Sequence, residues 1–326
     1  MKNTNNIFVK YNGKEDTQIS YCKNKILCID EYGFITDKFV NSSVSEHSLK
    51  NQWYEKIEQY EDNYKKYLKS IKILRLVRLG IPLTLKNTIW KIFVHKDFLY
   101  NYKTLKSQEN EYAHQIHVDI QRTFRTHYLF TKKYGRGQSE LFNILTAFAN
   151  FMPSIGYCQG MSNIAGIILM YFPEEEAFEL LVNIVQKNKL ETLFDKSLSK
   201  CNKIQLLQIE LFKLITPDVL THLDDNGVDL SIYAIGWYLT LFTRFNIKYV
   251  LRFWDLFLYL DFSIFLFIAA SILKFFSNFI FKLKDEQLVE FMGKIDTFEM
   301  DIDEIIFNSV KYAKKFNYLN YKKKLN

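Results

Sequence analysis

A chain of 326 residues, 48% hydrophobic and 24% charged, is long enough to bury a substantial core and has the balance of a globular protein, which excludes a disordered chain. With only 11 Gly and 4 Pro it carries too few breakers for a sandwich of many short strands, and helices are favoured. The net charge of +7 is modest and points to no nucleic-acid partner.

In chain order, the amino terminus "MKNTNNIFVK" lacks the apolar core of a secretory signal. Cys22, Cys28, Cys158 and Cys201 contain no CxxC pair. The expectation is a cytoplasmic protein with reduced thiols, at most peripheral to endomembranes. Residues 1–47 mix short alternating runs with turn material and read as an irregular lead-in of strands or loops. From Ser48 the chain is rich in helix formers and free of Gly and Pro until Gly80, so 48–74 reads as a helical linker. Gly80 and Pro82 stop that pattern.

Helical signals dominate from there. Leu141, Ile144, Leu145, Phe148 and Met152 recur at helical spacing, with Ser139 placed as an N-cap. Pro173 opens a helix whose first turn holds three glutamates, where the helix dipole favours negative charge, and Pro217 opens another. "SIYAIGWYLTLFTRF" and "IKYVLRFWDLFLYL" read as helices in turn. The run 262–281 has the length of a bilayer span, but Lys274, Asn278 and three serines interrupt it, and it reads as a helix buried in a large domain. The last stretch, 286–326, reads as a helical extension with a solvated basic tail carrying Lys311, Lys314, Lys315, Lys322, Lys323 and Lys324. The sharper alternative for this tail is peripheral contact with an anionic membrane.

Common enzyme signatures fail. The chain has no P-loop, and "GRGQS" has too few glycines for a dinucleotide fold. Ser162 follows Gly160 as in a nucleophile elbow, but Ile164 occupies the closing glycine position. His114 and His117 lack metal-site spacing, and "DDNGVD" lacks the closing Glu of a calcium loop, so no metal site is expected.

Four stretches remain. They are "RLGIPLTLKNTIW" from Arg78 to Trp90, "IHVDIQRTF" around Asp119 and Arg122, "YCQGM" from Tyr157 to Met161, and "RFWDLFL" from Arg252 to Leu258. By spacing alone, Asp119 and Arg122 make an exposed i,i+3 ion pair as readily as a functional group. Gln159 could equally cap a loop between Gly156 and Gly160.

Together, in this order, these stretches resemble the marks of the TBC-domain family of Rab GTPase-activating proteins: "RxGIP…W", "IxxDxxRT", "YxQGM" and "RxWDxFL". The likeness spans about 75–285 and extends weakly to "DEYGFI" at Asp30–Ile35 and to the Trp53 segment. It implies an all-α fold, a single large TBC-type helical domain of two helical subdomains over 75–285. It also implies an activator of a GTP-bound Rab GTPase in vesicle trafficking, not an enzyme in its own right, lending catalytic residues in trans. By the same resemblance Arg122 is the arginine finger and Gln159 the glutamine finger. Asp119, Thr123, Tyr157 and Gly160 support the fingers or touch the partner, and Arg78, Gly80, Ile81, Pro82, Trp90, Arg252, Trp254 and Asp255 build the scaffold. No cofactor is expected of the chain, since GTP and Mg²⁺ are carried by the GTPase. The alternative is a catalytically weak TBC protein acting as a Rab-binding scaffold or effector. The chain departs from the pattern at Lys86, where arginine is usual, at Arg125, which replaces a proline after "RTF", and at Asn246 and Ile247 before the RxWD helix.

Overall fold

The computed structural model describes residues 28–36, 46–60, 71–94, 96, 98–194 and 199–325. Most of the lead-in expected over 1–47, with Cys22, and residues 61–70 of the linker lie outside the described residues. Two short strands, β1 (Cys28–Ile29) and β2 (Ile35–Thr36), precede the helices. Next come α1 (Glu46–Tyr60), α2 (Ile71–Leu79), α3 (Lys86–Val94), α4 (Tyr102–Ser107), α5 (Ala113–Ile120) and α6 (Arg136–Phe151). They are followed by α7 (Met161–Leu169), α8 (Glu174–Lys187), α9 (Glu191–Phe194), α10 (Ser199–Ile215), α11 (Pro217–Asp225) and α12 (Leu230–Tyr233). Last are α13 (Ile235–Leu239), α14 (Ile247–Tyr259), α15 (Ile264–Ile280), α16 (Asp285–Lys294), α17 (Ile302–Lys315) and α18 (Tyr318–Leu325). The fold is all-α apart from the one small hairpin.

The described residues fall into two units, one from the stretches Met1–Glu46 and His95–Val185, the other from His47–Val94 and Gln186–Asn326. In the first, α6 packs on α4, α5 and α7 through Leu141, Ile144, Leu145 and Phe148, all fully buried. The Phe178 ring of α8 meets Phe98, Tyr100, Tyr102 and Phe151 at centroid distances of 5.2–6.4 Å. Helix α6 begins three residues earlier than the expected Ser139 cap. Its cap is Gly135, and the Gln138 side chain accepts from the Tyr134 N–H at 2.9 Å and donates to the Phe130 carbonyl at 2.9 Å. These bonds anchor the first turn upstream of Ser139, and a Cβ at Gly137 would lie 2.2 Å from the Leu129 carbonyl oxygen, so only glycine fits there.

The second unit is organised around Asp255 of α14, which is fully buried. Its carboxylate accepts from the Lys86 ammonium at 2.8 and 3.1 Å, from Trp90 Nε1 at 2.8 Å and from the Ile81 N–H at 3.0 Å. Pro82 opens the 3₁₀ turn Leu83–Leu85 that leads into α3. Gly80 ends α2 at φ +107°, and its carbonyl accepts from Trp53 Nε1 at 2.9 Å. A Cβ there would crowd the Arg252 guanidinium at 3.1 Å, and this guanidinium donates to the Arg78 carbonyl at 2.7 Å and pairs with Asp303 at 2.9 Å. Trp254 Nε1 donates to the Leu241 carbonyl at 2.9 Å, and its ring lies 5.8 Å from that of Trp90.

Two expectations change in this unit. "SIYAIGWYLTLFTRF" is not one helix: α12 and α13 are short, and Leu241 and Phe242 take φ of +48° and +63°, which ends the helix so that Phe242 stacks on Phe265 at 4.5 Å. The basic tail is not merely solvated. Helix α18 docks Tyr321 and Leu325 into the core, Lys322 pairs with Asp261 at 2.7 Å and Lys324 with Glu210 at 2.8 Å. Helix α15 is buried over most of its surface, and no helix among the described residues is long and apolar enough to cross a membrane.

Candidate functional site

Asp119, Arg122, Thr123, Tyr157, Gln159 and Gly160 all belong to the first unit. Helix α5 ends at Ile120, so Arg122 sits just past the helix, in a turn. There the Arg122 N–H donates to the Asp119 carbonyl at 3.1 Å and the Thr123 N–H to the Ile120 carbonyl at 3.1 Å. These i→i−3 bonds replace the helical ones past Ile120, and Phe124, at φ +41°, bars any return to helix beyond the turn. The i,i+3 relation survives in the turn, which is why the sequence spacing still pairs Asp119 with Arg122.

Asp119 divides its carboxylate. Oδ1 accepts from Arg122 Nη2 at 2.6 Å, and Oδ2 accepts from the Tyr157 hydroxyl at 2.7 Å. The Asp119 side chain is 5% exposed while that of Arg122 is 58% exposed, so a buried anion holds the base of an outward-facing cation. Burial first, then the Asp119 carboxylate, pushes the Tyr157 hydroxyl well above its ordinary range, so it remains a proton donor to Asp119. Tyr157 lies two residues before Gln159, a span of at most about 7 Å of chain. One carboxylate thereby ties the arginine turn to the glutamine loop.

The loop's conformation depends on glycine at two positions. Gly156 takes φ +64° with the Tyr112 ring 2.2 Å from where a Cβ would stand, and Gly160 takes φ +98° immediately before α7. Between them Gln159 is exposed. The Thr123 hydroxyl donates to the Asp119 carbonyl at 2.8 Å and shares a 2.8 Å hydrogen bond with the hydroxyl of Ser162, in the first turn of α7. Sequence reasoning weighed Ser162 only as a nucleophile and missed this role. The available signal was a hydroxyl in the helix "MSNIAGIIL", whose other polar side chain is Asn163.

The β1–β2 hairpin packs against the far side of the arginine turn. The Ile35 N–H donates to the Thr126 carbonyl at 2.8 Å, and the Tyr128 N–H donates to the Gly33 carbonyl at 2.9 Å. His127 is buried; its Nε2 bonds the Tyr32 carbonyl at 3.1 Å, and its Nδ1 accepts from the Leu129 N–H at 3.3 Å. Those two bonds require the neutral ring, and burial lowers its pKa to about 4, against the upward pull of the Tyr32 carbonyl. The folded value lies below the unfolded 6.5, so the unfolded chain takes up the proton more readily. Stability is then full above about pH 6.5, falls as pH drops, and loses no more from this group below about pH 4. The loss should approach about 3 kcal/mol between those limits. Urea unfolding at pH 7 and pH 4.5 should show a smaller acid loss in His127→Gln than in the native chain; equal losses would exclude His127 as the source.

Chemically, the site offers an exposed guanidinium, permanently charged and forked, and, on the loop tied to it through Asp119 and Tyr157, an exposed amide that both donates and accepts hydrogen bonds. Among the described residues no group of three His, Cys, Asp or Glu is placed to hold a metal ion, and the His117 ring stacks on Tyr134 at 5.7 Å.

The fold is that of TBC domains. The crystal structure of the Chlamydomonas flagellar RabGAP TBC domain superposes with a TM-score of 0.65 at 21% identity, covering 86% of this chain and 99% of that one. The Ypt/Rab-GAP domain of Gyp1p superposes with a TM-score of 0.65 at 18% identity, over 80% of this chain and 99% of that one. A family model described as the Rab-GTPase-TBC domain matches residues 83–281, and the chain belongs to this family. Among curated relatives, the Drosophila melanogaster ecotropic viral integration site 5 ortholog is 29% identical over 289 residues, 86% of this chain and 35% of that protein. A TBC domain-containing protein of Schizosaccharomyces pombe is 35% identical over 199 residues, 58% of this chain and 47% of that protein. The chain thus spans between about a third and a half of the length of these relatives.

Proposed function

We propose that the chain accelerates GTP hydrolysis by a GTP-bound Rab-family GTPase, with Arg122 as an arginine finger and Gln159 as a glutamine finger supplied in trans. The observation that supports this reading is the division of Asp119. One buried carboxylate holds both an exposed arginine and the loop that carries an exposed glutamine, so two groups 37 residues apart in sequence are prepared for one partner.

Phosphoryl transfer asks little covalent chemistry of an activator. Charge accumulates on the transferred phosphoryl oxygens, and an attacking water must be held in line. Arg122 keeps one guanidinium nitrogen on Asp119 and offers its other N–H groups to those oxygens. The Asp119 contact restricts the long side chain before docking, which lowers the ordering entropy left to the encounter. The Gln159 amide accepts a hydrogen bond from the water and donates another to the partner without changing charge. GTP and Mg²⁺ come with the GTPase.

Phosphate release from a panel of GTP-loaded Rab GTPases tests the reading. The native chain should stimulate at least one of them, and Gln159→Ala should lower that stimulation by about a hundred- to a thousandfold, the scale of losing one positioned transition-state contact. Binding without stimulation across the panel would place the chain with the scaffold reading instead.

A further inference from the structure

The arginine turn is also held from outside the matched domain. The β1–β2 hairpin lies upstream of the segment 83–281 that the family model covers, yet it bonds directly to residues that follow Arg122. We propose that the hairpin Cys28–Thr36 is a positioning element for Arg122, acting through Phe34 and His127. This inference rests on the arginine-finger reading of Arg122.

The turn needs support on both sides. A non-glycine residue in the left-handed region is strained and persists only where its surroundings over-determine it. Phe124 is such a residue, at φ +41°. On one side it meets α7, where Gly166 leaves room: a Cβ there would stand 3.0 Å from the Phe124 ring and 3.3 Å from the Thr123 methyl. On the other side the Phe34 ring meets Phe124 edge-on at 6.1 Å and His127 edge-on at 5.0 Å. The backbone bonds from Ile35 and to Gly33 then fix Thr126 and Tyr128. Phe124 is thus clamped between the glutamine-loop helix and the hairpin, with Arg122 two residues away.

The hairpin is built for this contact and for little else. Two residues per strand are too few to stand alone in water. Its turn is stitched by Asp30, whose Oδ1 accepts from the Tyr32 N–H at 3.0 Å and the Phe34 N–H at 2.8 Å. Gly33 has φ +92°, and a Cβ at that position would come within 2.3 Å of His127 Nε2, so glycine is needed both for the turn and for the approach. With Phe34 truncated, Phe124 loses one wall of its clamp and the guanidinium loses its fixed base. A displacement of about 1 Å at a catalytic group costs up to about a hundredfold in rate.

The test uses the full chain. In Phe34→Ala, kcat for stimulated GTP hydrolysis should fall about ten- to a hundredfold with KM for the GTPase within about twofold, and Phe34→Leu, which keeps an apolar wall, should recover most of it. Hydrogen exchange of the uncomplexed chain should show faster amides over 122–128 in Phe34→Ala, with the rest of the first unit unchanged. A merely structural role would instead lower the active fraction, raise exchange throughout that unit and leave kcat per folded molecule intact. If Phe34→Ala does not fold, Phe34→Leu carries the comparison, with a smaller loss of kcat and faster exchange in the same segment. Native kcat in a folded variant with native exchange at 122–128 overturns the proposal. Should the native chain stimulate no GTPase, the finger reading fails. The exchange data then decide the brace alone: faster amides confined to 122–128 support it, and unchanged ones overturn it.

Discussion

Arg122→Ala should lower the GTP hydrolysis that the chain stimulates by at least about a hundredfold, or about 2.7 kcal/mol of barrier. Supplied arginines are worth about 10³ to 10⁵ in rate in the Ras system, through a different activator fold. The pair with Asp119 accounts for only a fraction of that: its guanidinium is 58% exposed, so it contributes on the scale of solvent-facing ion pairs, about 0.2–1 kcal/mol, and the Asp119 carboxylate keeps the Tyr157 hydroxyl when Arg122 is removed. The two contributions therefore separate: activity should collapse while the unfolding midpoint moves little. Arg122→Lys should remain slow as well, because an ammonium keeps the charge but loses the planar fork that serves Asp119 and phosphate together. Phosphate release under single-turnover conditions, with the folded fraction measured on the same samples, checks both. Full activity in Arg122→Ala would remove the arginine-finger assignment.

The second large effect falls on stability. Asp255→Ala should destabilise the second unit by about 3–5 kcal/mol, because it removes one buried carboxylate that accepts from three donors, Lys86 Nζ, Trp90 Nε1 and the Ile81 N–H. Typical domains are stable by about 5–15 kcal/mol in total, so this loss endangers folding near body temperature. The Lys86–Asp255 pair is almost wholly enclosed, at 2% and 0% side-chain exposure, so the penalty comes mainly from taking the counter-charge away from a buried ammonium. Lys86→Met combined with Asp255→Leu should recover most of the loss by removing both charges at once. Denaturant unfolding compares the three chains. A loss below about 1 kcal/mol for Asp255→Ala would show that the carboxylate is not the hub of this unit.

The Lys86 result also explains a departure from the family pattern. Lysine stands where arginine is usual, and its ammonium reaches both Asp255 oxygens, at 2.8 and 3.1 Å. Asn246, another departure, caps α14 by accepting from the Lys248 N–H at 3.2 Å.

What the sequence determined by itself is the part of this protein governed by local rules. Few breakers, prolines at helix starts and apolar residues at helical spacing carried the all-α class, and Pro173 and Pro217 stand directly before and at the first residues of α8 and α11. Motif order singled out Arg122 and Gln159 and the eight scaffold positions. Local rules failed where distant contacts override propensity. The end of α5 before Arg122 and the break at Leu241 go with left-handed backbone at Phe124, Leu241 and Phe242 that propensity disfavours, and the early start of α6 goes with the Gln138 bonds to Tyr134 and Phe130. Tertiary structure alone decided that Asp119 serves both Arg122 and Tyr157, that Ser162 holds Thr123 from 39 residues away, and that Asp255 gathers donors 165–174 residues upstream. It also placed Phe34 against Phe124. Such partners share no local periodicity, because a buried polar group is satisfied by whichever donor the folded chain delivers, and that choice is made only when the helices pack.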